Sequence, residues 1–406
     1  EELFFIRDRV DMNRSKEVEH FQLTVYRDFE EGKPYRGSVS LRLYPGSTEA
    51  EMEQTIDNGA FAAGLVRNEP FPLVHPSVST REPPARPPPR QDAPGHVGPG
   101  QAAPGQTASR FAEKDLRHWL KPLSETLYSN AGEGINSAEL FLDRIETRIM
   151  NSAGVDVSFT RYRGAIDLIT ECQGDKEEVE LSKFIEFSDF VPDRIVRLRD
   201  QQLRLCRDRA VAAATPSMES AVMLTGEPVK EFFQYYLAQS SAESAYKGLS
   251  ILKPGQSAQG AEIRGDLFTL SLDPDLPNST YSSPWDLDGY PLKKTAVIDR
   301  GRLLNFWGPL RFCHYLGIKP SGSIGNVVVE GGSRPMATLR QGPCLEVVSF
   351  SDFQTNPLTG DFGGEIRLAY LSKDGSRDRG LPVSGGSISG NILNVQGEMT
   401  LSRERQ

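Results

Sequence analysis

The chain has 406 residues, enough for two domains of ordinary size, and its 38% apolar content is modest but sufficient for real cores. A formal net charge of -9, with acids and bases interspersed, argues against nucleic acid as a main ligand, because phosphate binding needs a basic face. No apolar run approaches the roughly 20 residues that span a bilayer, so no membrane segment is expected.

Taken in chain order, the first elements read as an antiparallel hairpin. "FQLTVYR" places Phe21, Leu23 and Val25 on one face, and "SVSLRLY" does the same with Val39, Leu41 and Leu43. "TEAEMEQTIDNGAFAAGL" follows as a helix capped by Ser47 or Thr48 and rich in early acids. The composition then changes to Pro, Gly and Ala over about residues 82–109, without an aromatic core; this reads as a disordered or polyproline insertion, with docking of a partner as the alternative. "INSAELFLDRIETRIM" reads as a helix capped by Asn136 or Ser137, with Phe141, Leu142, Ile145 and Ile149 along one stripe. "VDVSFTRY", "GAIDLITEC" and "EEVELSKFIEF" read as three strands of a meander. The Arg-rich run "DRIVRLRDQQLRLCRDR" reads as a helix with a solvated face.

"TPSMES" marks a domain boundary, dividing the chain into 1–215 and 216–406. The second part opens with the strand "SAVMLTG" and a helix with Pro228 in its first turn and Phe232, Phe233, Tyr236 and Leu237 along it. From Gly265 onward short strands alternate with Gly, Pro and Asp turns, including a hairpin that turns at Asp299-Arg300-Gly301. The expected class is α+β: an N-terminal α/β domain of antiparallel strands and helices, then a β-rich domain around one or two helices.

Chemistry-bearing motifs are sparse. Cys172, Cys206, Cys313 and Cys344 form no C-x-x-C pair. There is no G-x-S-x-G elbow, no phosphate-cradling loop and no dinucleotide fingerprint. His20, His75, His96, His118 and His314 lie in different segments, and no pair shares a helix at metal-ligand spacing. Asp286 and Asp288 form a carboxylate pair that suits acid-base work or a cation, with turn capping as the plainer reading. Gly360, Gly363 and Gly364 allow unusual backbone angles near a cleft, and Asp361 reads as structural. The sequon at Asn278 carries little weight without an export signal. The cysteine usage fits a reducing cytosol, and cytoplasmic localisation is expected. Because the chain opens without Met, a segment upstream is expected.

Four short stretches in order, "SPWDLDGYPLKKTAVIDRGRLLNF", "LGIKPSGSIGN", "NPLTGDFGG" and "SGGSISGNILNV", carry a resemblance. Together over residues 283–395 they resemble the TldD/PmbA family, described as modulators of DNA gyrase and as metalloprotease-related. The first half fits as well, apart from the family's usual opening helix. The resemblance implies two kinds of member. One bears a zinc helix reading His-Glu-x-x-x-His; the other, PmbA/TldE, lacks it and pairs with the first. By placement, Gln234, Tyr235 and Gln239 stand where His, Glu and His would be, and no His occurs between His118 and His314. Amide and phenol groups are poor zinc ligands near neutral pH. The resemblance therefore implies a zinc-free subunit without cofactor, and without catalytic residues of its own. Such a subunit pairs with a zinc-bearing TldD-like chain, or with itself, and helps to enclose an unfolded peptide. Gly322, Gly325, Asn326 and Gly363 are expected near the substrate cleft. The rival readings are a self-sufficient hydrolase using Asp286, Asp288 or Cys344, and a homodimeric peptide-binding scaffold.

Overall fold

The computed structural model describes residues 1–79, 109–111, 114–174, 178–372 and 380–404. The Pro/Gly-rich insertion expected at 82–109 lies outside the described residues, except for Ser109 at its end.

The first half begins with strands β1 (Glu2–Ile6) and β2 (Arg9–Arg14). The hairpin read from period-two alternation follows as β3 (Phe21–Glu30) and β4 (Pro34–Leu43), in register from Phe21↔Leu43 to Glu30↔Pro34. Helix α1 (Glu49–Ala63) packs on this hairpin. Its cap is Thr48, whose hydroxyl accepts from Glu51 N while Glu51 reaches back to Thr48 N, satisfying two helix-end donors at once. After the single turn α2 (Pro76–Ser79) and β5 (Ser109–Arg110) comes α3 (Leu116–Tyr128), then β6 (Ile135–Met150), β7 (Asp156–Gln173), β8 (Glu178–Phe187), β9 (Asp189–Phe190) and the Arg-rich α4 (Pro192–Ala210).

Two expectations need correction here. Residues 135–150 form strand β6, not a helix. Ala138, Leu140 and Leu142 are buried alternately, and Arg144, Glu146 and Arg148 alternate with Ile145, Thr147 and Ile149. The apolar stripe at helical spacing was one reading of a segment whose β-branched residues fit a pleated surface better. The three-strand meander is two strands, because "VDVSFTRY" and "GAIDLITEC" run on as the single strand β7. These strands form an antiparallel sheet in the order β2-β1-β6-β7-β8. Its core joins Trp119, Leu123 and Leu127 of α3 to Leu140, Leu142, Ile166 and Leu168 of the sheet.

The Arg-rich helix is solvated only in part. Arg197, Arg204 and Arg207 are exposed, but Arg199 is buried. Its Nη1 donates to the carbonyls of Leu127 (2.9 Å) and Ser129 (2.6 Å), closing off the C-terminal end of α3, where a helix leaves acceptors unpaired.

The second half runs β10 (Ala213–Ala214), β11 (Ala221–Leu224), α5 (Glu227–Gln239), α6 (Ala242–Tyr246), β12 (Thr269–Leu272), β13 (Thr295–Asp299), β14 (Arg302–Leu303), α7 (Leu310–Tyr315) and β15 (Val327–Glu330). It closes with α8 (Met336–Leu339), β16 (Cys344–Thr355), β17 (Asp361–Ser372), β18 (Leu381–Ser384), β19 (Ser387–Asn391) and α9 (Ile392–Val395). The turn expected at Asp299-Arg300-Gly301 is present: Arg300 and Gly301 both have positive φ, +42° and +71°, as a two-residue hairpin loop requires. Two sheets result, β14-β13-β12-β15 and β10-β18-β17-β16-β11, with β19 paired on β17. Antiparallel pairing dominates, and strand (38%) exceeds helix (24%), which makes the fold α+β.

Helix α5 is the pivot of this half. Phe232, Phe233, Tyr235 and Tyr236 bury against Phe268, Leu270 and Leu272 of β12 and Val297 and Ile298 of β13, with Phe362 of β17 and Ile392 of α9 completing the cluster. A separate cluster ties the two halves together: Val179, Leu181, Leu205 and Cys206 pack with Leu368 and Tyr370. Around it the Tyr370 hydroxyl donates to Asp208 (2.5 Å), and Arg367 Nη2 donates to the Glu180 carbonyl (2.7 Å).

Candidate functional site

The site to test is α5. Its N-terminus is set by Gly226, at φ +77°, and by Pro228 in the first turn, whose missing N–H costs nothing there. At the other end Trp307 Nε1 donates to the Leu237 carbonyl (2.9 Å), and Ser241 starts the next helix by accepting from Ser244 N (3.1 Å). The helix is therefore fixed at both ends.

Gln234 and Gln239 do not face one another. Five residues along a regular helix turn through about 140° net, so the two amides point apart. Gln234 is half-buried, and Gln239 is fully buried. The Gln239 side chain is fully engaged. Oε1 accepts from Ile251 N (2.8 Å), and Nε2 donates towards the carbonyls of Pro357 (3.0 Å), Leu249 (3.3 Å) and Leu358 (3.4 Å). Its backbone carbonyl accepts from Ser250 Oγ (2.6 Å). One side chain thus pins two loops to the end of the helix.

Tyr235 is fully buried, and its hydroxyl has no hydrogen-bond partner among the described residues. Burial alone pushes this phenol above its ordinary range. Its ring packs on Gly360, where an added Cβ would lie 3.3 Å from Cε2. The neighbouring Tyr236 donates to Gln396 Oε1 (3.1 Å).

This donor set does not fit a zinc ion. The one amide oxygen at Gln239 is held by a backbone N–H, and a neutral phenol kept protonated by burial is neither a ligand nor a general base near neutral pH. Among the described residues, no three His, Cys, Asp or Glu side chains gather at metal-binding spacing.

The residues expected near a cleft sit on two different segments. Gly322, Gly325 and Asn326 lie in the segment leading into β15 and pack on the loop 273–292. Gly322 has φ +75°, and a Cβ on it would meet Leu292 (2.4 Å) and Asp286 Oδ2 (3.0 Å). Gly325 faces Tyr281. Asn326 is buried, accepting from Ser279 Oγ (2.5 Å) and donating to Ser282 Oγ (3.2 Å). Gly363 lies within β17, opposite Gln354 of β16 and Ser389 of β19. Unusual backbone angles occur at Gly360 (φ +78°) but not at Gly363 or Gly364. Gly364 instead serves close packing, since a Cβ there would come within 2.4 Å of the Asp352 carbonyl. The Thr359–Asp361–Asn391 triad locks this turn, with Asp361 accepting from Thr359 Oγ1 (2.6 Å) and Asn391 Nδ2 (2.7 Å). These bonds hold the Asp361 carboxyl below its usual range.

The carboxylate pair resolves into unequal partners. Asp286 is buried; its Oδ1 accepts from Asp288 N (3.0 Å) and Tyr290 N (2.9 Å), and its Oδ2 accepts from Ser323 N (3.1 Å). Burial, then the charge of Asp288, pushes its carboxyl up to about 6 against the pull of those three N–H groups. It joins two loops as a turn cap. Asp288 remains in contact with solvent, and crowding by the protein raises it. The Cys344 thiol is buried and raised, first by desolvation and then by Glu346, the opposite of an activated nucleophile.

Some features had no sequence reading at all. Gln396, which receives Tyr236, and the Leu249–Ile251 loop held by Gln239 are placed only by tertiary contacts. Asn278, the sequon residue, is buried at φ +56° and accepts from Ser188 N and Asp189 N (both 2.9 Å), so it joins the two halves and is closed to a sugar.

Comparison with known proteins agrees with the fold. Residues 217–405 match the model of the PmbA/TldA metallopeptidase C-terminal domain. An uncharacterized protein of Methanocaldococcus jannaschii, MJ0231, is 23% identical over 263 residues, covering 61% of this chain and 59% of that protein. The whole chain is similar in fold to TM0727 of Thermotoga maritima, solved under the description of a DNA gyrase modulator (TM-score 0.69, 15% identity, 97% of this chain and 86% of that one). It is also similar to TldE of Thermococcus kodakarensis (TM-score 0.65, 16% identity, 97% and 86%). A third structure, BT3649 of Bacteroides thetaiotaomicron, again described as a DNA gyrase modulator, gives TM-score 0.68 at 17% identity, over 98% and 85%. The motifs in order over 283–395 fall inside the domain matched over 217–405, so residues 217–405 form a domain of the TldD/PmbA family.

Proposed function

We propose that this chain is a zinc-free, PmbA/TldE-like subunit of a TldD/TldE-type metalloprotease complex that acts on unfolded peptides in the cytoplasm. In this reading its partner supplies the metal, and residues 216–406 contribute walls of the substrate chamber. The observation that carries the reading is the occupied amide of Gln239: the side chain that the resemblance sets at a zinc-ligand position ties the 249–251 and 357–358 loops to the helix. Two further points support it. The Tyr235 phenol is buried and raised, and the Cys344 thiol is likewise kept protonated.

The test is reconstitution. The purified chain is incubated with unfolded peptides, alone and with a zinc-bearing member of the family, with and without chelator. The reading expects cleavage only in the mixture and its loss on chelation. Cleavage by the chain alone, insensitive to chelator, would support the rival hydrolase reading instead.

A further inference from the structure

Strand β7 turns one face to the core of the first half and the other towards the loop 273–292. On that second face Phe159, Arg161 and Arg163 stand at alternate positions, opposite Thr147, Ile145 and Asp143 of β6. The outer two are joined to the loop. The Phe159 ring lies against Trp285, with centroids 6.1 Å apart. Arg163 Nε donates to Glu186 Oε1 (2.9 Å), and Glu186 Oε2 accepts from the Tyr281 hydroxyl (3.3 Å). Arg161 stands between them. It is half-buried, and its Nε is shut off from solvent without an acceptor among the described residues. A second donor on this loop is in the same state. Asn278 is buried, its Oδ1 is held by Ser188 N and Asp189 N, and its Nδ2 has no acceptor among the described residues. Asp189 belongs to β9, which packs beside β7, so both orphan donors lie along one seam. The acids nearby are engaged elsewhere: Glu186 by Arg163 and Tyr281, and Asp143 by Arg163 at 3.8 Å. A buried donor without a partner is costly, and a half-buried cation without an acceptor more so.

We propose that Arg161 anchors a carboxylate-binding site at the seam between β7 and the loop 273–292. Both orphan groups are donors, so what the seam lacks is an acceptor. A guanidinium edge offers two parallel N–H groups, which match the two oxygens of a carboxylate. The Phe159 and Trp285 rings flank the site and suit the carbon chain that bears the carboxylate. Glu186 and Asp143 stand close by in a chain of net charge -9, which disfavours a dianion such as phosphate. The carboxylate belongs either to a small acid or to the C-terminus of a peptide. The chemistry of the seam is the same for both, and the assignment does not depend on the zinc-free reading.

The experiment is isothermal titration calorimetry on the whole chain in chloride buffer. The probes are acetate, inorganic phosphate, and one short peptide with its C-terminus either as the carboxylate or amidated. Saturable binding of acetate is expected, weakened about tenfold or more by Arg161→Gln and less by Arg161→Lys, which keeps the charge but loses the paired geometry. Binding of the carboxylate peptide but not its amide assigns the site to chain ends; binding of acetate with neither peptide assigns it to a small acid. A melting scan without ligand adds a second readout. Arg161→Gln should melt no lower than wild type, because the charge it removes has no acceptor, and acetate should raise the melting temperature of wild type alone. Any of four results would overturn the proposal: no saturable acetate binding by wild type, binding undiminished in Arg161→Gln, a preference for phosphate, or an Arg161→Gln chain that is unfolded or markedly less stable, which would show the guanidinium to be satisfied within the protein.

Discussion

Gln239 Oε1 accepts the backbone N–H of Ile251 at 2.8 Å, and this bond fixes how the end of α5 is used. Replacing Gln239 with Ala strands that N–H and the carbonyls of Pro357 and Leu249 in a buried place. The expected loss is about 2–4 kcal/mol, from several unmade hydrogen bonds together with a cavity. Urea unfolding of the variant measures it; a loss within experimental error would deny the side chain its clamping role.

Tyr235 calls for the opposite outcome. Its hydroxyl is buried and unpartnered, so Tyr235→Phe removes a polar group that gains nothing. Stability should rise, by up to about 1 kcal/mol. Peptide cleavage by the reconstituted complex should stay unchanged; a marked fall would place the phenol in contact with substrate.

Asp286 makes stability depend on pH. Burial raises its carboxyl from the ordinary 3.8 to about 6, so the folded state binds the proton more tightly than the unfolded one. Stability from this site therefore grows as pH falls from 7 through 6 towards 4, by an amount on the order of 2–3 kcal/mol, and declines again as pH rises. Asp286→Asn should be less stable than wild type, because its amide meets the Ser323 N–H donor to donor, and should lose this component of the pH profile. Denaturation at pH 5 and pH 7 checks it. An identical pH difference in both proteins would contradict the assignment.

Asn278 links loop 273–292 to Ser188 and Asp189 from a left-handed backbone conformation. Asn278→Ala loses both bonds and strains the backbone, costing about 2–3 kcal/mol. Asn278→Gly loses the bonds without the strain and should be milder by about 1 kcal/mol. Equal losses would show that the φ of +56° imposes no penalty.

Much of the fold was legible because local chemistry and tertiary packing agree. Thr48 with Glu51 states where α1 begins, and Arg300-Gly301 states a turn that only positive φ can make. Segment 135–150 supports two readings locally, because Phe141, Leu142, Ile145 and Ile149 satisfy a helical stripe, while the alternation of Arg144, Glu146 and Arg148 with β-branched neighbours satisfies a strand. Pairing with β1 and β7 decided between them, and pairing is not local. At the candidate site the residue types at 234, 235 and 239 were readable, but not their surroundings. The partners of Gln239 come from positions 10 to 119 residues away, and Gly322 lies in the loop before β15 whereas Gly363 lies in β17.

The central claim concerns donor chemistry at α5, and metal analysis tests it most directly. The purified chain is equilibrated with zinc, passed through a desalting column and measured by inductively coupled plasma mass spectrometry. A zinc-bearing family member serves as the positive control. The account predicts far less than one zinc per chain, with Gln239→Ala unchanged in zinc content. One tightly retained zinc per chain, lost on substituting Gln234 or Gln239, would contradict it.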